Sequence, residues 1–189
     1  TGAHRHQCRS SRFALIAPPL RSRVSDPDPQ QPIGPTDTDV LMMRRALELA
    51  RHAAEMGEAP VGCIIYETDT GRVLGQGANL RERDNDPTAH AEIIAIRAAA
   101  SAVGDWRLNH CTLVVTLEPC PMCAGAIVNA RLGRVVFGAS DPKAGACGSL
   151  MSLTQDTRLN HRVAPVAGVL AHEAGELLRA FFRARRGNG

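Results

Sequence analysis

The sequence predicts an α/β protein in which one sheet is layered by helices. Short apolar, β-branched runs alternate with helix-patterned stretches from Asp39 to the C-terminus, as strands and crossover helices do. The chain has 189 residues, 44% of them hydrophobic, which suits one domain with a buried core. Six cysteines are too sparse for a small disulfide-stapled scaffold. No apolar run reaches the ~18–20 residues that cross a bilayer as a helix.

Each predicted element has its own signal. Val40, Met43, Leu47, Ala50 and Ala54 fall at helical spacing with Arg44, Glu48, Arg51 and Glu55 between them. Asp39 is expected to cap that helix and Gly57 to end it in the left-handed conformation. Residues 61–66 read as a strand, Thr68-Asp69-Thr70-Gly71 as a turn and 72–76 as the returning strand of a hairpin. An Ala-rich helix is expected over 89–102, and 112–117 is apolar and β-branched, as a buried strand should be. Residues 120–130 read as a helix, 134–138 as a strand and 171–185 as an amphipathic helix. The stretch after Ala139 is loop-rich, with a strand candidate within 163–169.

Residues 1–38 differ in composition. They hold six of the twelve prolines and no sustained periodicity, and are expected to form a disordered Pro/Arg-rich extension to a domain spanning 39–189. Arg5, Arg9 and Arg12 precede the apolar run of residues 13–17, but Pro18-Pro19 breaks it where a signal peptide would continue. The lack of acid before Asp26 leaves an organellar transit peptide as the minor reading, and Met42 or Met43 are candidate starts.

Three segments carry unusual chemistry: Gly77-Ala78-Asn79, Pro87-Thr88-Ala89-His90-Ala91-Glu92, and Leu117-Glu118-Pro119-Cys120-Pro121-Met122-Cys123. Two cysteines three positions apart at a helix start share one side, and the local N–H groups favour thiolates. Pro119 and Pro121 suit a helix start, where a missing N–H costs nothing. Alone, the pair fits a redox site, half of a structural zinc site or part of a catalytic one. His90 and Glu92 at a second helix start shift the balance. Zinc held by one His and two Cys keeps an open fourth position, and can lower the pKa of a bound water from ~15.7 to about 7. Glu92 beside the metal would shuttle the proton. Against this stand the plain readings, His90 as a cap and Glu92 as a dipole-stabilising acid. A structural zinc site would draw its fourth ligand from Cys63, Cys111, Cys147 or His110. Cys63, Cys111 and Cys147 otherwise read as small buried residues, and Cys8 as an exposed thiol.

His90-Ala91-Glu92 with Pro119-Cys120-Pro121-Met122-Cys123 resembles the H-x-E…P-C-x-x-C signature of the zinc-dependent cytidine/deoxycytidylate deaminase superfamily. From about Asp39 to Arg186 the chain is similar to bacterial tRNA-specific adenosine deaminases. Asp86 through Ile93, Thr116 through Ala126, Gly133 through Gly138, Gly148-Ser149-Leu150 and Phe181 through Arg186 carry that likeness. Ala78 departs from it, since a larger residue often precedes the Asn.

The resemblance implies a three-layer α/β/α sandwich around a mixed sheet of about five strands. It implies one Zn²⁺ per subunit on His90, Cys120 and Cys123. Glu92 would be the catalytic acid–base, carrying a proton from the metal-activated water to N1 and then to departing ammonia as hydroxide attacks C6 of adenine. Asn79, Ala91 and Pro119 would meet the base, Asn79 through the N7 edge; the plain reading of Asn79 is a turn residue after Gly77. The implied substrate is the wobble adenosine of a tRNA anticodon stem-loop, an Arg tRNA in particular, because a stacked base must be splayed out to reach a buried metal. Asp141 and Lys143 in one loop, and Phe181, Phe182, Arg183, Arg185 and Arg186 in the last helix, would contact RNA. Those arginines also read as a solvated helix end. A homodimer, a reducing cytoplasm and no membrane complete the expectation.

Three competitors are defined: a free-base or nucleoside deaminase acting on guanine, cytosine or cytidine; a thiol redox protein using Cys120 and Cys123; and a zinc-stabilised RNA-binding module without catalysis. Net charge decides little. Residues 1–38 hold five Arg against three Asp, 39–178 hold thirteen basic against sixteen acidic residues, and 179–189 hold four Arg and no acid. Phosphate attraction must therefore be local, with the last helix its leading candidate. Only six residues are aromatic, which fits a pocket for one base and excludes a surface stacking many.

Overall fold

The structure, a computed structural model, describes residues 34–187. The expectations placed on residues 1–33, including Cys8, lie outside the described residues. Helix α1 spans Asp37–Glu55, β1 Gly62–Glu67, β2 Val73–Ala78, α2 Ala91–Val103, β3 Cys111–Leu117, α3 Pro121–Asn129, β4 Arg134–Ala139, β5 Pro165–Val166 and α4 Ala171–Gly187. A short 3-10 turn at Leu153–Gln155, without a signal in the sequence pattern, precedes β5. The five strands form one mixed sheet in the order β2-β1-β3-β4-β5. β1 is antiparallel to both neighbours, while β3, β4 and β5 run parallel.

Alternation along the strands builds the two interfaces. Cys63, Ile65, Leu113, Val115, Val135 and Phe137 point to one face, where they pack against α2 and α3. Ile64, Tyr66, Val114 and Val136 point to the other, where Met42, Met43, Ala46 and Leu47 of α1 and Ala174 of α4 cover them. The result is the three-layer α/β/α sandwich with a five-stranded mixed sheet, and the central strands are buried on both faces, as their continuous apolar runs require. Met42 and Met43 are core residues, 3% and 0% exposed.

Topology then gathers the chemistry at one edge. Because β1 runs against β2 and β3, its start lies beside their ends: Gly62 pairs with Ala78, and its N–H donates to Thr116 Oγ1 at 3.2 Å. Leu117 pairs with Ala139 at the end of β4. The segments leaving β2, β3 and β4 and the one entering β1 therefore share an edge, where open α/β sheets place their ligands. A Cβ at Gly77 would collide with the carbonyl of Ala91, so the glycine lets the first turn of α2 lie directly on β2.

The N-terminal cap differs from the expectation. Thr36, not Asp39, is the N-cap: its hydroxyl accepts from Asp39 N–H at 3.1 Å and Asp39 Oδ2 accepts from Thr36 N–H at 2.8 Å, a reciprocal capping box. Asp39 does more besides. Fully buried, it accepts from the Tyr66 hydroxyl at 2.7 Å and from Arg134 Nη2 at 2.7 Å, so one carboxylate joins α1, β1 and β4. Arg134 also donates to the Gly34 carbonyl at 2.8 Å. Burial pushes the Asp39 carboxyl up, but hydrogen bonds from Arg134, Thr36 N–H and Tyr66 outweigh it and hold it below the usual carboxylate range.

Breaking a buried ion pair by removing one partner costs about 3–5 kcal/mol, so Asp39→Asn should lower unfolding stability at neutral pH by that order. The folded pKa of Asp39 lies below its unfolded value, so its contribution is complete above the ordinary carboxylate range, near ~4, and fades as pH falls through the folded value. Urea titrations of both proteins should show the gap closing in acid; equal stability at neutral pH would contradict the network's role.

Candidate metal centre and active site

Two helix starts are built so that their first residues keep their side chains free. Ahead of α2, Asp86 Oδ1 accepts from Thr88 N–H and Thr88 Oγ1, each at 2.7 Å, folding the chain into a tight turn. Leu80 N–H donates to the Ala89 carbonyl at 3.0 Å, tying the exit of β2 to this turn. His90 is the N-cap by backbone geometry, φ −75° and ψ 150°, yet its side chain caps nothing. Cys120 repeats the arrangement at α3, with φ −72° and ψ 173°, an uncapping side chain and Pro121 at the next position. Each helix thus begins with a ligand-type side chain at its cap position.

The two starts meet. His90 Nδ1 lies 3.7 Å from Cys120 Sγ and 3.5 Å from Cys123 Sγ, and the three ligand atoms all fall within 4.8 Å of one another. Glu92, two residues beyond His90, is 4% exposed, and its Oε2 is buried without a hydrogen-bond partner. A hydrogen bond from Cys123 leads the effects that hold Cys120 down to about 4, burial opposing, with His90 and the Cys123 N–H assisting. Cys123 is driven up by the neighbouring Cys120, by burial and by the charge of Glu92. His90 is raised, first by its hydrogen bond to Cys120. Burial, above all, raises Glu92.

Two sulfurs, an imidazole nitrogen and a carboxyl crowded into one buried space call for positive charge. Two thiolates and a neutral imidazole suit a borderline-soft divalent cation, and they leave its fourth position for a small molecule. The orphaned Glu92 Oε2 supplies the polar atom such a molecule would meet. The residues present therefore fit zinc. Among the described residues, no fourth His, Cys, Asp or Glu joins this cluster. Cys63, Cys111 and Cys147 stand outside it, and burial raises their thiols, Cys63 well up, Cys111 to about 11 and Cys147 to about 12.

The other sequence-predicted residues are placed as follows. Ala91 is fully buried at the first position of α2, and Pro119 is buried with its carbonyl accepting from Ala146 N–H at 2.8 Å. Asn79 is 6% exposed, so it is no solvent-facing turn residue; its Nδ2 donates to Glu58 Oε2 at 3.0 Å. Asp141 Oδ1 is taken up by its own turn, accepting from Lys143 N–H at 2.9 Å and Ala144 N–H at 3.3 Å, which leaves the Lys143 side chain exposed. Phe181 is partly buried and Phe182 is 44% exposed, so neither is a core residue; their rings meet edge to face at 5.3 Å. Arg185 lies over the Phe181 ring at 5.2 Å, and Arg183, Arg185 and Arg186 are exposed. Arg179 pairs with Glu176. The body of α4 packs on the α1 face, opposite α2 and α3, so no packing joins these residues to the cysteine cluster.

Two acids escaped sequence reasoning. Glu58 follows a helix-ending glycine and bonds to a residue 21 positions away, which no local pattern signals. Glu118 lies between Leu117 and Pro119, where no local pattern signals its partners. It accepts from Asp141, Cys147 and Ser149 N–H at 3.0, 3.1 and 2.9 Å and from the Ser149 hydroxyl. Burial raises the Glu118 carboxyl, but these bonds outweigh it and hold it below the usual range. The loop carrying Asp141 and Lys143 is thereby fastened to the residue two before Cys120.

Comparison with known proteins agrees with the geometry. A family model described as the cytidine and deoxycytidylate deaminase zinc-binding region matches residues 36–139, from the cap of α1 to the end of β4. The chain is 49% identical over 148 residues to a tRNA-specific adenosine deaminase of Bacillus subtilis, covering 78% of this chain and 91% of that protein. It is 49% identical over 151 residues to the tRNA-specific adenosine deaminase of Haemophilus influenzae, covering 80% and 87%. A solved structure from studies of A-to-I editing by tRNA:A34 deaminases at the wobble position of transfer RNA superposes with a TM-score of 0.69 at 41% identity, covering 73% of this chain and 99% of that one. No helix among the described residues is long and apolar enough to cross a membrane. The chain belongs to the zinc-binding cytidine and deoxycytidylate deaminase family, and within it to the tRNA-specific adenosine deaminases.

Proposed function

We propose that this chain hydrolytically deaminates adenosine to inosine at the wobble position of a tRNA anticodon loop, an Arg tRNA among its substrates, acting as a homodimer in the cytoplasm. The observation that carries the chemistry is the buried, unpartnered Glu92 Oε2 beside His90, Cys120 and Cys123. Likeness to the two tRNA-specific adenosine deaminases supports the substrate; the dimer and the compartment rest on the resemblance alone.

His90, Cys120 and Cys123 would hold zinc, which when bound acts as a Lewis acid and makes water a nucleophile at neutral pH. Glu92 does the proton work. Its Oε2 takes a proton from water and passes it to N1 of the purine as the oxygen bonds to C6; it then takes the second proton from the hydroxyl now on C6 and gives it to the amine, whose bond to C6 breaks as the C6 carbonyl forms. Adenosine and water become inosine and ammonia, with Glu92 back in its starting state. Burial suits it to this traffic, because a raised carboxyl gives and takes protons closer to neutrality. Asn79 meets the purine edge, with Ala91 and Pro119 forming the walls near the ligands. The aromatic pair Phe181-Phe182 and the cations Lys143, Arg183, Arg185 and Arg186 hold the RNA strand outside.

Glu92→Gln should retain about one zinc per chain and the wild-type melting temperature while inosine formation on an anticodon stem-loop falls roughly 10²–10⁴-fold, the usual worth of a general acid–base. Metal analysis beside nucleoside chromatography reads both; near-normal turnover would remove Glu92 from the mechanism. A chelator strong enough to strip the metal should abolish activity, and added zinc should restore it, whereas a redox protein would be indifferent.

Replacing Arg183, Arg185 and Arg186 with Ala should raise KM for the stem-loop with kcat little changed. It should also flatten the salt dependence by roughly two to three counterions. Kinetics across a salt series test this. An unchanged slope would return these arginines to a solvated helix end, and turnover confined to free nucleosides or bases would replace the tRNA reading with the free-substrate one.

A further inference from the structure

Asn79 does not choose its own orientation. Glu58 is fully buried just after Gly57, whose φ of +81° turns the chain away from α1. Each Glu58 oxygen already has a donor: Oε1 accepts from the backbone N–H of Arg83 at 2.7 Å, and Oε2 accepts from Asn79 Nδ2 at 3.0 Å. Asn79 is further held by its own N–H, which donates to the Val61 carbonyl at 3.0 Å. A side-chain amide can present either end to a neighbour, but a carboxylate only accepts. Asn79 must therefore turn its NH2 group to Glu58, leaving Oδ1 and the second N–H for whatever occupies the site. The exit of β2 stands against the start of α2, through Leu80 N–H on the Ala89 carbonyl and Gly77 against Ala91, so this amide lies at the same edge as the metal ligands.

We propose that Glu58 is a positioning residue that locks the Asn79 amide in one flip state, and so sets the donor–acceptor pattern by which the site selects a purine edge. Its role rests on the reading of Asn79 as the base-contacting amide, and adds what makes that contact directional. The second N–H is the donor that an accepting purine N7 requires; a flipped amide would offer a lone pair there instead.

Glu58→Gln is the discriminating variant because it keeps the shape and removes one acceptor. Gln has one accepting and one donating end, while two donors face it. The backbone N–H of Arg83 cannot rotate, whereas the Asn79 side chain can, so Asn79 flips. We expect kcat/KM on a wobble-adenosine stem-loop to fall roughly 10- to 100-fold, within the range of one good amide–base pair, with zinc content and melting temperature at wild-type values. The decisive reading uses the same stem-loop with 7-deazaadenosine at the wobble position, which lacks the N7 acceptor. Wild type should lose activity on this substrate. Glu58→Gln should show little further loss, and Asn79→Ala should behave alike.

If Asn79→Ala matches wild type on both substrates, the reading of Asn79 itself fails. If Asn79→Ala is impaired but Glu58→Gln keeps full activity and full sensitivity to the 7-deaza change, Glu58 merely fastens a loop and its positioning role is overturned. Glu58→Asp, which retains two accepting oxygens, carries the test should the Gln variant fold poorly: sensitivity to N7 must persist whatever its rate, and its loss overturns the role.

Discussion

The structure depends on two helices starting side by side with their cap side chains facing one another. An N-cap residue ordinarily gives its side chain to the orphan N–H groups of its own helix. His90 does not, and Cys120 shares its sulfur between the Cys123 N–H and His90; each takes the cap backbone conformation and faces the other. The sheet pays for that arrangement by bringing the ends of β2, β3 and β4 to one edge, so that both helices begin there. Gly77 removes the Cβ that would keep α2 off β2. Everything with chemical potential, the three ligands, Glu92, Asn79 and the loop fastened by Glu118, then follows from short connections off that edge.

Acids hold this site in shape from beneath. Glu58 and Glu118 are almost completely buried, and among the described residues neither has an ion pair of the kind Arg134 gives Asp39. Glu58 accepts from the Arg83 N–H and the Asn79 amide, and Glu118 from the N–H groups of Asp141, Cys147 and Ser149 and from the Ser149 hydroxyl. Backbone donors suit this purpose because they have no rotamers to lose. Loops that carry function are thereby tied to the edge of the sheet they leave.

Much of this was legible in the sequence because it is local. Helical spacing, β-branched runs and the Pro-Thr and Pro-Cys-Pro starts mark α1 to α3 and the central strands within a few residues. The H-x-E and C-x-x-C pairs carry enough chemistry to suggest each other. What could not be read is pairing across distance. Asp39 looks like a cap; its bonds to Tyr66 and Arg134 exist only once β1 and β4 lie beside α1. Glu58 looks like a polar residue after a turn, and its bond to Asn79 depends on the register of β1 with β2. The end of α4 is a plainer case: an amphipathic pattern marks the helix, and Phe182 near its end is 44% exposed.

X-ray absorption at the zinc edge of the metal-loaded protein reads whether His90, Cys120 and Cys123 form a three-ligand centre open at its fourth position. The expected spectrum has two sulfurs at about 2.3 Å with one imidazole nitrogen and one further light atom near ~2.0–2.1 Å, and a light-atom shell that changes when a nucleoside analogue is added. Three or more sulfurs, two imidazoles, or a protein that takes up no zinc at all would contradict it.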